Sequence, residues 1–144
     1  MLRFEKRVMI DRPREEVFTF VSNPATDPLY RKGAAFAEWS SAAPIGVGSK
    51  MRSVSTFMGR EIVTTSEFTV WDPPNEYAFR TVGGAFPARY KMTFESVGSG
   101  TQLTARGEIG FEGVFKIIEW LFGRQIKAQA QSDFDALKVL LEAS

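Results

Sequence analysis

The order of the hydrophobic patterns constrains this chain more than any motif in it. Six strand-like segments follow one another from Ala34 to Phe111, and a single helical pattern from Val114 to Glu142 then closes the chain. A long amphipathic helix placed after a meander of strands can bury its apolar face only against that sheet. The expected product is an α+β fold in which a curved sheet grips one helix, and such a grip leaves room for a cavity.

The segments can be bounded from their punctuation. Phe4 to Ile10 alternates as a first strand, with Lys6 an exception on the face of Phe4, Val8 and Ile10. Pro13 suits a first helical position, Glu15 and Glu16 suit a first turn, and Arg12 or Asp11 would be the cap. Val17, Phe20 and Val21 give this short helix an apolar side, ended by Ser22-Asn23-Pro24. Residues Ala25 to Gly33 read as a loop or a helical turn. The later strands are Ala34 to Ser40, Ser49 to Met58, Arg60 to Trp71, Glu76 to Val82, Phe86 to Ser96 and Thr101 to Phe111. Their connections, including Asp72-Pro73-Pro74-Asn75 and Gly98-Ser99-Gly100, are short, which implies antiparallel neighbours. Gly46-Val47-Gly48 leads into a strand instead of a helix, so it reads as a turn and not as a phosphate loop. In the closing segment Ile126, Ala130, Phe134, Leu137 and Leu141 form one stripe, Gln125, Gln129, Asp133 and Lys138 decorate other faces, and Gly123 marks a bend or a separate first turn.

Composition excludes several chemistries. The 144 residues contain no Cys and no His, which removes disulfides, thiolate catalysis, sulfur metal sites and the commonest general base near neutral pH. No metal or other cofactor is expected. Lys and Arg total 18 against 17 Asp and Glu, so no global field favours nucleic acid, and none is expected as a partner. The longest apolar patch, Val114 to Phe122, is interrupted by Lys116 and Glu119 and is too short for stable membrane insertion. A single domain over 1–144, in the cytoplasm, as a monomer or homodimer, is the expectation. Thirteen Phe residues suit an aromatic-rich interior, either packed solid or arranged around an apolar ligand.

Alternation predicts which strand residues point inward: Met51, Ser53, Ser55 and Phe57; Ile62, Thr64, Ser66 and Phe68; Tyr77, Phe79 and Thr81; Tyr90, Met92 and Phe94; Leu103, Ala105 and Ile109. The set is apolar with a few hydroxyls, as befits a pocket that orients a hydrophobic ligand with sparse polar contacts. The alternative is a filled core whose hydroxyls satisfy one another. Tyr77 and Tyr90 are the candidates for orienting a ligand or moving a proton, while Glu67, Arg80, Arg89, Arg106 and Glu108 fall on the solvent face. The stretch Phe115 to Phe122 has three readings, as helix core, cavity gate or docking patch. The expected ligand-binding residues are Ser53, Ser55, Phe57, Thr64, Tyr77, Phe79, Tyr90, Met92, Ala105 and Trp120, with no catalytic residue assigned.

The stretch from Ile10 to Phe18, Gly46-Val47-Gly48, Trp71-Asp72-Pro73-Pro74, Gly100 to Thr104 and the closing Phe134 to Glu142 occur in an order that resembles the START-like superfamily. That group includes the birch-pollen-allergen type and the polyketide cyclase/dehydrase and lipid transport family. The resemblance covers nearly the whole chain. It implies a helix-grip fold: a seven-stranded antiparallel sheet curved around a long C-terminal helix, two short helices after the first strand, and a hydrophobic cavity between sheet and helix. Many members carry a Trp shortly after the first helix, where this chain has Tyr30, so the cavity mouth departs from that pattern. The expected function is binding or transport of a hydrophobic or amphipathic small molecule. An aromatase/cyclase or dehydratase is the alternative, and an interaction module for a protein or membrane surface is the second alternative.

Overall fold

A computed structural model of the chain describes residues 1–57, 59–84, 86–111 and 113–143. Strand β1 (Leu2–Ile10) leads into helix α1 (Arg14–Val21), a 3-10 turn (Pro24–Thr26) and the one-turn helix α2 (Asp27–Tyr30). Six strands follow: β2 (Ala34–Trp39), β3 (Lys50–Phe57), β4 (Arg60–Asp72), β5 (Glu76–Gly83), β6 (Ala88–Val97) and β7 (Gly100–Ile109). A 3-10 turn (Gly113–Phe115) then opens onto α3 (Lys116–Glu142). The expected end of the third strand at Met58 lies outside the described residues.

All seven strands form one antiparallel sheet in the order β1-β7-β6-β5-β4-β3-β2. Each hairpin neighbour is a sequence neighbour, and only β1 returns from a distance, to pair with β7. Alternation is kept along most of the ladder, where Tyr77 faces Met92, Phe79 faces Tyr90 and Met92 faces Ala105. The opposite face carries cross-strand ion pairs, Arg80 with Glu67, Lys91 with Glu76 and Arg106 with Glu5. Arg80 and Glu108 therefore point outward, as alternation requires.

Strand β4 departs from simple alternation. Its register against β5 shifts between Thr65 and Ser66 and again between Phe68 and Val70. The second bulge inserts one residue, so Phe68 and Trp71, three apart in sequence, both turn toward the interior, with ring centroids 5.6 Å apart. Bulges also bend the strand, which suits a sheet that must wrap a helix.

Three local expectations need correction. Pro13 is the N-cap of α1, in extended geometry, and Arg14 is the first helical residue; the proline ring itself supplies the extended conformation that the boundary requires. Phe18, absent from the expected apolar side, is the more central residue. It meets Trp71, Tyr77 and Phe94 edge-on at 5.1 to 5.8 Å, whereas Phe20 packs at the margin against Tyr30. Gly123 does not divide off a separate first turn, since α3 runs through it. It is buried because β1 passes close by: a Cβ there would stand 3.5 Å from the Leu2 methyl.

The C-terminal half of α3 seals one end of the interior with Phe134, Leu137 and Leu141. Its last turn is fastened to the β1–α1 junction, where Asp11 donates its backbone N–H to Glu142 Oε2 at 2.7 Å and the Lys138 ammonium bridges to the same oxygen. Among the described residues no helix is long and apolar enough to cross a membrane.

Candidate functional site

The middle of α3 roofs a cavity of about 690 Å³ over the concave sheet. This lies within the range of roughly 300–1,000 Å³ typical of small-molecule pockets. The strand walls contribute Ser53, Ser55 and Phe57 from β3, Thr64 from β4, Tyr77 and Phe79 from β5, Tyr90 and Met92 from β6, and Ala105 from β7. Nine of the ten residues expected from sequence are thus brought together on one lining. Trp120 is not: it is 83% exposed in the second turn of α3 and faces away from the cavity. Phe122, about half a helical turn away on the opposite side of α3, reaches the lining and meets Phe57 edge-on at 6.2 Å.

Phe94 and Leu103, also expected inward, are buried in the packed core beneath α1 and the end of α3 and do not border the cavity. The interior is therefore divided, solid at one end and hollow at the other. The division explains Gln125, Gln129 and Asp133. These lie beside the apolar stripe of α3, and where the helix spans a void, that flank looks into the void instead of into water.

Aromatic rings form most of one wall. Tyr77 stacks on Phe79 at 6.2 Å and Phe79 lies 5.1 Å from Tyr90, a run across β5 and β6. The two phenols differ. The Tyr77 hydroxyl donates to the Val21 carbonyl at 3.4 Å, and burial pushes its pKa well above the ordinary value. It is committed to holding α1 on the sheet and is unsuited to proton transfer near neutral pH. The Tyr90 hydroxyl has no hydrogen-bond partner among the described residues, and burial raises its pKa while Arg31 opposes the rise.

Sequence reasoning misses the polar part of the cavity. It comes from α2, a single turn that carries too few residues to show a periodic pattern. Asp27 and Arg31 stand four apart, and Arg31 Nη1 donates to Asp27 Oδ2 at 3.2 Å. That acid and base at i and i+4 is the one available signal. Burial raises the Asp27 pKa against the opposing influence of Arg31 and the Tyr30 hydroxyl. On the helix side, Asp133 Oδ1 accepts from Gln129 Nε2 at 2.7 Å and from the Lys32 backbone N–H at 3.2 Å, tying α2's exit to α3. Among the described residues no cluster of three or more Asp or Glu is placed to hold a metal ion.

The sequence model of the polyketide cyclase/dehydrase and lipid transport family matches residues 1–142. The chain belongs to that family. Solved structures agree on the fold. A Thermus thermophilus protein superposes with a TM-score of 0.77 at 20% identity, covering 98% of this chain and 94% of that one. A START superfamily protein from Mycobacterium smegmatis gives 0.77 at 16% identity, with 99% of each chain covered. The di-domain ARO/CYC StfQ from the steffimycin biosynthetic pathway gives 0.76 at 14% identity, and there the match spans 99% of this chain and about half, 51%, of the other. No curated protein matches the chain by sequence. The family's helix-grip START-like architecture is therefore the architecture of this chain, and Tyr30, where many members have Trp, is buried at the cavity edge beside Asp27.

Proposed function

We propose that this family member binds a hydrophobic or amphipathic small molecule in the cavity between sheet and α3 and carries or senses it without altering it. Ser53, Ser55, Phe57, Thr64, Phe79, Tyr90, Met92 and Ala105 would touch the ligand, as would the ring of Tyr77. The observation that carries this reading is the cavity itself: about 690 Å³ walled by stacked aromatic rings beside a core that is otherwise closely packed. A space of that kind is costly to leave empty, because its lining forgoes dispersion contacts and gains nothing in return. Its Tyr77 hydroxyl is tied to a backbone carbonyl, which argues against a phenolic acid–base pair on the sheet.

The second reading is an enzyme of the cyclase or dehydratase kind, favoured by one observation, the Asp27 carboxyl with a raised pKa on the cavity lining. A carboxyl whose pKa is raised keeps its proton to higher pH than an ordinary carboxylate, which suits the role of general acid toward a bound substrate. The two readings separate in one experiment. Native mass spectrometry of freshly purified protein should reveal a co-purified small molecule at equal stoichiometry, released unchanged on denaturation. Protein that carries no such molecule and binds no apolar probe would refute the binding reading, and a bound molecule released as a modified product would replace it with the enzymatic one.

A further inference from the structure

Arg31 is the one guanidinium on the cavity lining among the described residues. Its side chain is 48% accessible, yet protein encloses it closely enough that burial is the largest influence on its pKa, working to lower it against the net rise that Asp27, Tyr30, Tyr90 and Asp133 produce. Arg31 lines the cavity, so part of that accessible surface faces the cavity. One of its guanidinium nitrogens, Nη1, serves Asp27, and the other two have no hydrogen-bond partner among the described residues. From the facing wall the Tyr90 hydroxyl, also without a partner there, stands near enough that each group shifts the other's titration.

Unused donors from two walls therefore line one largely apolar space, and they call for an oxygen acceptor. The charge balance decides which kind. Asp27 and Asp133 on the lining are matched by Arg31 and Lys32, so no net positive charge is left for an anion. Bringing a carboxylate into such a site would add an uncompensated buried charge, whereas a neutral carbonyl accepts the same hydrogen bonds without one.

We propose that the Asp27–Arg31 pair is a polar anchor that selects neutral carbonyl-bearing ligands, such as ketones and esters with an apolar body, over carboxylates of the same length. The proposal rests on the cavity-binding reading and adds a head-group preference to it. Asp27 sets the preference by cancelling the charge of Arg31, and Arg31 with Tyr90 supplies the donors.

The test displaces a cavity-bound apolar dye at neutral pH with three probes of equal chain length: undecane, methyl nonyl ketone and undecanoate. The ketone should compete at about a tenfold lower concentration than the hydrocarbon, the worth of one hydrogen bond from a charged donor, and undecanoate should compete less well than the ketone. Asp27→Asn, which imitates the protonated acid and frees the Arg31 charge, should reverse the order of ketone and carboxylate. Arg31→Met should reduce the ketone's advantage to what the Tyr90 hydroxyl supplies, adding Tyr90→Phe should erase it, and neither change should alter competition by undecane. Should Arg31→Met fold poorly because Asp27 loses its partner, the double variant Asp27→Asn/Arg31→Met removes both charges and carries the same expectation. Equal competition by ketone and hydrocarbon in the wild type, or undecanoate ahead of the ketone there, overturns the anchor while leaving cavity binding intact. If neither the dye nor any probe binds, the binding reading falls and the anchor with it.

Discussion

Replacing Ser55 by Phe tests whether the interior is hollow where the structure places the cavity. Ser55 sits on β3 opposite Ile62 of β4 and Ala34 of β2, lines the cavity, and its hydroxyl makes no hydrogen bond among the described residues. In a filled core the added ring would cost about 1–3 kcal/mol in overpacking. In a void it removes apolar surface from water, and full burial of a Phe side chain is worth about 1.5–3 kcal/mol, of which roughly half is a fair share for a ring still bordering empty space. With about 3 °C of melting temperature per kcal/mol for a chain of this size, Ser55→Phe should melt about 2–5 °C above the wild-type temperature. Dye affinity should fall by about tenfold or more as the ring occupies ligand space. Ala105→Phe is the contrast. Sequence alone makes the two positions equivalent, but Ala105 is only 3% exposed and belongs to the packed core as well as the lining. It should lose the full overpacking cost and melt roughly 3–9 °C lower. Thermal melting with parallel dye titration reads both effects. A Ser55→Phe protein that melts as low as Ala105→Phe, and binds dye no more weakly than wild type, would refute the hollow interior.

Leu137→Ala should cost about 2–5 kcal/mol in denaturant unfolding, because Leu137 is fully buried where α3 seals the solid end of the interior. Tyr77→Phe should lose only about 0.5–1.5 kcal/mol and keep dye binding, since its hydroxyl serves the Val21 carbonyl and not the ligand; loss of binding in that variant would show that the phenol contacts the ligand. The Glu142 carboxyl is held below its ordinary 4.5 by the Lys138 ammonium and the Asp11 N–H. A lowered pKa in the fold means that its contribution is present above about 4.5 and is lost as the pH falls through the lowered value. Glu142→Gln should therefore narrow its stability gap from wild type as pH drops below that point, measured by urea unfolding across the acid range.

Much of this architecture is legible in sequence because alternation and the α3 stripe repeat often enough to be counted. The inward residues of β3, β5 and β6 follow directly, and Tyr77, Phe79, Tyr90 and Met92 reach one wall because no bulge interrupts the β5–β6 ladder. The bulge in β4 is invisible to a period-two reading, so Trp71 appears to face outward until the register shift at Phe68/Val70 is known. Parity also cannot tell a filled interior from a hollow one, since Phe94 in the core and Met92 on the cavity share the same inward face of β6. Arg31 escapes sequence reasoning for a different reason: the four-residue helix it caps has no periodicity, and its place on the lining depends on where that turn is set. Trp120 shows the converse error. An aromatic residue on the right helix lies outside the cavity because it stands on the side of α3 opposite Phe122, which lines it.

Methyl-resolved NMR during titration with an apolar ligand tests the central claim most directly. Met51, Met92, Ile62 and Ile126 carry methyl groups on the cavity lining, while Val114, Ile117 and Leu121 carry them on the exposed start of α3 and the turn before it. Cavity binding predicts saturable shifts at the first set, complete at one ligand per protein, with the second set unmoved. Shifts confined to Val114, Ile117 and Leu121 would contradict it and assign the apolar chemistry of this protein to its surface.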